Sequence, residues 1–282
     1  MTPTPLPSTT EEVLSSLDLD RISSIALQGK DGQSTLLAHD YEDVKLMLWA
    51  AAEKWLLPDL QTLSVSSLGL EEEFLLPFGG YPVRGFLDLR GSYRRGIDRG
   101  KVVVVDWKTA SGELDIAWQS RLVDSKQWRL YSQVPPGADF ISYRGVNTKG
   151  KTREVYIDLA AVSGVREDVD NYFGGVGDML RVLAPRDIWP MNRPSACGQY
   201  GQTCPFTTDC ANGTQPRYLL PAEEITLSYS GASRFLTCPE KYRRMKHAEH
   251  GIDGTDATRL GNAFHNGAEE IWRQAFAKYG EV

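Results

Sequence analysis

From Tyr41 onward the apolar side chains Tyr41, Val44, Leu48, Ala51, Ala52 and Trp55 return every three or four residues. This spacing predicts a helix with one buried face that stops at Pro58. The period then shortens. Residues 71–77, 83–89 and 101–107 are short, β-branched or apolar runs, separated by Gly79-Gly80 and by a polar, glycine-bearing stretch over 90–100, which predicts a three-strand meander. A helix over 126–134, strands over 139–144 and 153–159, and a long helix over 162–183 follow by the same criteria. Beyond Trp189 the prolines 190, 194 and 205 break any regular pattern, and 211–225 has the composition of a linker. A capped helix is predicted over 228–244, and Leu260, Ala263, Phe264, Ala268, Ile271, Trp272 and Phe276 fall on one face of a further helix. The first forty residues are weakly patterned: Pro/Thr-rich and disordered to about residue 10, with a turn signal at 29–32. Helical and strand periods alternate along the chain, so the class is mixed α/β.

Composition adjusts this picture in three places. With 282 residues and 41% apolar side chains the chain buries an ordinary core, as one large domain or one domain with an appendage. The net charge of -6 excludes a grip on nucleic acid by bulk positive charge. It leaves local basic tracks open: residues 81–108 carry seven Lys/Arg against three Asp, and 234–249 carry five against two Glu. The longest aliphatic run is Val102 to Val105, and the first residues have neither a basic leader nor an apolar stretch, so no membrane partner is expected and the chain reads as cytoplasmic. In a reducing compartment Cys197, Cys204, Cys210 and Cys238, crowded between positions 197 and 238, read as a metal or cluster site before disulfides.

The chemistry concentrates in the meander. Side chains alternate along a strand, so Asp106 and Lys108 emerge on one face and Trp107 on the other, and a hairpin partner brings Asp88 beside them. Two converging carboxylates are costly to bury unless a divalent, oxygen-ligated cation neutralises them. The ammonium of Lys108 then holds a water or steadies charge on a phosphoryl oxygen. Spacing alone equally allows a hairpin with a solvated Asp-Lys pair.

Gly85-x-x-Asp88, followed by an aliphatic strand ending Asp106-Trp107-Lys108-Thr109, resembles the core of PD-(D/E)XK nucleases, in particular the branch that contains the RecB nuclease domain, Cas4 and AddB. Gln127-x-x-x-Tyr131 is similar to a further motif of that branch, and Gly261-x-x-x-His265 to its metal-binding histidine helix. His39 competes for that role but lacks the glycine and the amphipathic surroundings. The spacing Cys197-x6-Cys204-x5-Cys210 is a poor match to zinc ribbons, although zinc stays open. With Cys238-Pro239 it resembles the cysteine set that holds a [4Fe-4S] cluster in Cas4 and AddB, whose first interval is often shorter.

The resemblance implies a restriction-endonuclease-like fold: a mixed, mainly antiparallel sheet flanked by helices, with a cysteine-bound cap. It implies a metal-dependent deoxyribonuclease, an exonuclease of recombination, repair, phage replication or CRISPR spacer processing. Its partners are then DNA and the recombination, replication or CRISPR adaptation proteins. Asp88, Asp106 and His265 become ligands of Mg²⁺ or Mn²⁺, Lys108 positions the attacking water, and Gln127 and Tyr131 steady the lysine and the DNA strand. The alternative is a non-catalytic DNA-binding or scaffold subunit on the same fold.

The order of these motifs is rotated relative to that family. The Cys-Pro and histidine pieces, which open its domains, come last here. The expected organisation is a weakly structured segment 1–39, a nuclease core with the three-cysteine segment over 40–210, a linker over 211–225, and a piece over 226–282 that either completes the core by circular permutation or starts a second domain. Permutation makes two distance demands. His265 must come within about 3–5 Å of the carboxylates, and Cys238 within about 4–7 Å of the other sulfurs.

Overall fold

The computed structural model describes residues 5, 7–28, 38–65, 69–186, 188–191, 197, 204, 206–212, 225–247 and 256–280. The turn expected at 29–32, most of the linker over 211–225 and the side chain of His39 lie outside the described residues. In chain order the elements are α1 (Thr10–Ser15), α2 (Leu19–Gln28), α3 (Ala38–Ala51), a π-helical turn (Ala52–Leu56), α4 (Leu57–Thr62), β1 (Leu63–Ser64), β2 (Leu70–Phe78), β3 (Tyr81–Tyr93), β4 (Val102–Ala110), α5 (Ile116–Val123), α6 (Gln127–Tyr131), β5 (Phe140–Asn147), β6 (Thr152–Asp158), α7 (Val165–Leu183), α8 (Thr207–Ala211), α9 (Tyr229–Thr237), α10 (Pro239–His247) and α11 (Asp256–Tyr279). Among the described residues no helix is long and apolar enough to cross a membrane.

The chain divides into two compact units: residues 1–73, 86–163 and 254–282 form one, and 74–85 with 164–253 form the other. The first is built on a mixed sheet flanked by helices, with strand order β1-β3-β4-β5-β6 and β2 paired to β3. Three pairings, β1/β3, β3/β4 and β5/β6, are antiparallel, while β4 and β5 run parallel. A parallel neighbour needs a crossover, and α5 and α6 occupy that connection. Gly145 on β5 lets α5 approach, because a Cβ there would lie 2.5 Å from the Trp118 ring.

The core of this unit joins the alternate side chains Val103, Val105 and Trp107 of β4 to the stripe Phe264, Ala268, Trp272 and Ala275 of α11, and to Ala51, Leu56 and Leu60. α11 therefore enters through the apolar face that its sequence spacing predicts.

Three expectations need correction. The helix that begins before Tyr41 does not stop at Pro58. A π-helical turn precedes that proline, and the helix continues through it into α4. The early segment holds α1, closed by a Thr9/Glu12 capping box, and α2, whose Ile22 and Ala26 are buried. The span 228–244 forms two helices, because Cys238 before Pro239 is extended (φ -161°, ψ 105°).

In the second unit the tip of the β2–β3 hairpin meets α7. Gly79 and Gly80 both have positive φ (57° and 81°), and the Gly79 N–H donates to Asp170 Oδ1 at 2.9 Å. Tyr81 donates its hydroxyl to Asp178 at 2.7 Å and lies over Gly177, where a Cβ would collide with its ring. Leu227 forms a short parallel bridge to Val83, and Ser228 caps α9 by accepting from Gly231 N at 3.1 Å.

Candidate functional site

Asp88 lies on β3 and Asp106 and Lys108 on β4, just past the last registered pair, Leu89 opposite Val105. The alternation expected of Asp106-Trp107-Lys108 is present. Lys108 Nζ reaches Asp106 Oδ2 at 2.5 Å on one face, while the Trp107 side chain is fully buried on the other. The Trp107 N–H donates to Asp88 Oδ2 at 2.7 Å and ties the two strands where the ladder ends.

α11 brings His265 into the same place. Its Nδ1 stands 3.4 Å from Asp88 Oδ2. The approach is close because Gly261, one turn earlier, sits against the end of β4: a Cβ there would meet Thr109 Oγ1 at 3.0 Å. The Phe264 ring, buried beside His265 and edge-on to it at 5.9 Å, anchors the turn from the core side.

α6 supplies the remaining pair. Gln127 Nε2 donates to Asp106 Oδ1 at 3.2 Å and to the Tyr131 hydroxyl at 2.6 Å, so the two side chains at i, i+4 do face the same way. Asp106 is thus held through one oxygen by Lys108 and through the other by Gln127. The Lys108 ammonium also lies 5.8 Å from the centre of the Tyr143 ring.

Sequence reasoning missed Glu71. Glu71, Asp88 and His265 each offer a ligand atom, and the three atoms lie within 4.8 Å of one another; among the described residues this is the one group of its kind. The signal was available in the turn. A two-residue connection at Gly79-Gly80 sets Phe78 opposite Tyr81, and counting back from there sets Glu71 opposite Asp88. The hydrogen bond from Arg90 N to Gly69 O, at 2.6 Å, keeps this register. Glu71 has φ 49°, the one described non-glycine residue with a positive φ. A strained backbone of this kind costs on the order of 1–3 kcal/mol and concentrates at functional positions.

Electrostatics favour a cation here. Burial, and then the charge of Asp106, push the Asp88 carboxyl well above the usual carboxylate range; Lys108 and the Trp107 N–H only partly offset this. Burial, followed by Asp106 and Asp88, likewise raises the Tyr131 phenol well above its ordinary value. The donor set of two carboxylates and an imidazole, half-buried at its imidazole end, fits Mg²⁺ or Mn²⁺ in its chemistry, the nitrogen suiting Mn²⁺.

The cysteines form a separate cluster in the second unit. All four are free thiols, Cys238 buried and the other three partly so. They line one cavity together with Met191, Phe206, Thr207 and Lys241. The Cys204 N–H donates to Cys197 O at 2.7 Å, and the Cys210 N–H to Phe206 O at 2.9 Å at the start of α8.

The chain matches no protein-family model and no curated protein.

Proposed function

We propose that the chain is a divalent-metal-dependent deoxyribonuclease of the PD-(D/E)XK kind, on a restriction-endonuclease-like fold close to the RecB, Cas4 and AddB branch in permuted order. The observation that carries this reading is His265 at 3.4 Å from Asp88, brought there by a helix from the far end of the chain. A detached second-domain fragment has no reason to make that contact. Glu71, Asp88 and His265 hold the metal, with Asp106 at its edge. When bound there, Mg²⁺ or Mn²⁺ supplies Lewis-acid charge to a scissile phosphate.

The protein's own groups do the rest. Lys108, fixed by Asp106, presents a positive charge where negative charge grows on the phosphoryl oxygens, and its ammonium orients the attacking water. Gln127 fixes Asp106 from the other side, so the lysine has one preferred direction. Tyr131 stays neutral beside the two acids and keeps Gln127 turned toward them.

The four cysteines hold a [4Fe-4S] cluster or, as the second reading of the same thiols, a structural Zn²⁺. Convergence of the four thiols on one cavity supports a shared centre. In either case the role is to fasten this unit, and DNA is the substrate of the other site.

The test is cleavage of DNA labelled at its 5′ or 3′ end, single- and double-stranded, with Mn²⁺, with Mg²⁺ and with chelator. Metal-dependent loss of label that disappears in the Lys108→Ala protein is the expected result. A wild-type protein that binds Mn²⁺ yet leaves every substrate intact would overturn catalysis and leave the scaffold role.

A further inference from the structure

We propose that Asp59, Arg144 and Trp272 are positioning residues: one buried carboxylate sets the seat of the His265 helix and the back of the Asp106–Lys108 strand together. The inference rests on the metal-site reading above and adds to it a control point away from the metal.

Asp59 of α4 (2% exposed), Arg144 of β5 (7%) and Trp272 of α11 (0%) come from three separate stretches of the first unit. Arg144 grips Asp59 with both terminal nitrogens, Nη1 to Oδ2 at 2.6 Å and Nη2 to Oδ1 at 2.8 Å. The Trp272 indole N–H donates to the same Oδ2 at 2.7 Å. The Trp55 ring lies 5.4 Å from the guanidinium, and Glu154, across the β5–β6 pair, reaches Arg144 Nε at 3.4 Å.

Both arms of this cluster lead to the candidate site. Arg144 is the registered partner of Trp107, the residue between Asp106 and Lys108 whose backbone N–H donates to Asp88. The Trp107 ring packs on Trp272 with centroids 5.0 Å apart. Along α11, Trp272 follows His265 by two turns on the same face, about 10 Å up the axis. A slide of one residue along that axis, about 1.5 Å, or a rotation of one position, about 100°, breaks the indole bond to Asp59 and carries His265 away from Asp88.

Stability alone does not call for this arrangement. Removing a guanidinium and a carboxylate from water is costly, and apolar residues of similar volume often serve a core as well or better. What a bidentate pair with a third directional donor adds is orientation.

The experiment replaces the polar cluster by an apolar one, Asp59→Leu/Arg144→Met/Trp272→Phe, in the full chain. Mn²⁺ affinity is measured by titration calorimetry and by the electron paramagnetic resonance of free Mn²⁺, with the metal-free melting temperature and near-ultraviolet circular dichroism alongside. The expected result is a folded protein that melts within a few degrees of wild type and binds Mn²⁺ about tenfold or more weakly, the scale seen when groups that orient metal ligands are removed. Trp272→Phe alone, which keeps the ring against Trp107 and deletes only the donor, serves where the triple variant does not fold, and is expected to lose affinity in the same direction. Variants that bind Mn²⁺ as tightly as wild type overturn the positioning role and leave the metal site standing. A wild type without Mn²⁺ affinity overturns the metal site itself, and the positioning role with it.

Discussion

His265 Nδ1 lies 3.4 Å from Asp88 Oδ2, although one residue belongs to the last helix of the chain and the other to the second strand of the meander. With Glu71 they make a three-ligand set. Each ligand removed should weaken the metal while the core stays intact, because none of the three is among the apolar side chains that pack α11 on β4. His265→Ala and Glu71→Gln are expected to lower Mn²⁺ affinity at least tenfold in calorimetric titration, with little change in melting temperature without metal. Equal Mn²⁺ affinity in the Glu71→Gln protein would remove Glu71 from the set.

Lys108 and Gln127 should differ in a graded way. Lys108 faces the space where phosphate charge would grow, whereas Gln127 acts on it only through Asp106. Lys108→Ala is expected to cut single-turnover hydrolysis by two or more orders of magnitude at saturating Mn²⁺, with DNA and metal affinity nearly unchanged. Gln127→Ala should cost less, on the order of tenfold, since the Lys108–Asp106 contact survives it. Near-normal cleavage by the Lys108→Ala protein would show that the lysine has no part in the chemistry.

How much of this was legible follows from what a one-dimensional pattern can carry. The pairing of Asp106 with Lys108 was, because a strand's period of two admits no other outcome once Val103, Val105 and Trp107 face the core. The stripe on α11 was also legible, and the arrival of His265 follows from burying it. Glu71 was not read, since it opens a run of three acids and only hairpin arithmetic singles it out. The passage of the helix through Pro58 was hidden, because a π-helical turn has no sequence period of its own. α5 escaped notice because Trp118 is its one buried residue, too little for a stripe. The Asp59–Arg144–Trp272 cluster joins three distant stretches of chain, and a single sequence holds no signal for such a meeting.

The hairpin tip gives a stability prediction with a definite sign. Burial works to raise the Asp170 carboxyl, but hydrogen bonds from Arg166 and from the Gly79 N–H outweigh it and hold the group below its usual value. A carboxyl lowered on folding adds stability that is fully present above its unfolded value of about 3.9 and is lost as pH falls through the folded one. The ion pair itself counts for little, as Arg166 and Asp170 are 56% and 35% exposed and solvent screens them. Asp170→Asn should therefore cost about 1 kcal/mol at pH 7, the scale of one hydrogen bond, with the gap to wild type closing below about pH 4 in urea melts. Gly79→Ala should cost more at every pH, because its Cβ would fall 2.3 Å from Asp170 O at a φ of 57°. A gap between Asp170→Asn and wild type that widens on acidification would contradict the assignment.

The cysteine centre yields the last prediction, and its two candidate occupants separate cleanly. Three thiols come from positions 197–210 and the fourth from the break between α9 and α10, so whatever binds all four closes a loop between them. Cross-linking a chain in this way stabilises it chiefly by restricting the unfolded state. Protein purified without oxygen should be brown, with the broad visible absorption of thiolate-to-iron charge transfer and about four iron atoms per chain. Cys204→Ala should bleach it and lower the melting temperature of the unit holding 164–253, while Mn²⁺ still binds at Glu71, Asp88 and His265 in the other unit. A colourless protein with one tightly held zinc replaces the cluster by a structural metal and keeps the same fall in stability. Protein that carries neither iron nor zinc and melts unchanged after Cys204→Ala would show that the four thiols are packed side chains and nothing more.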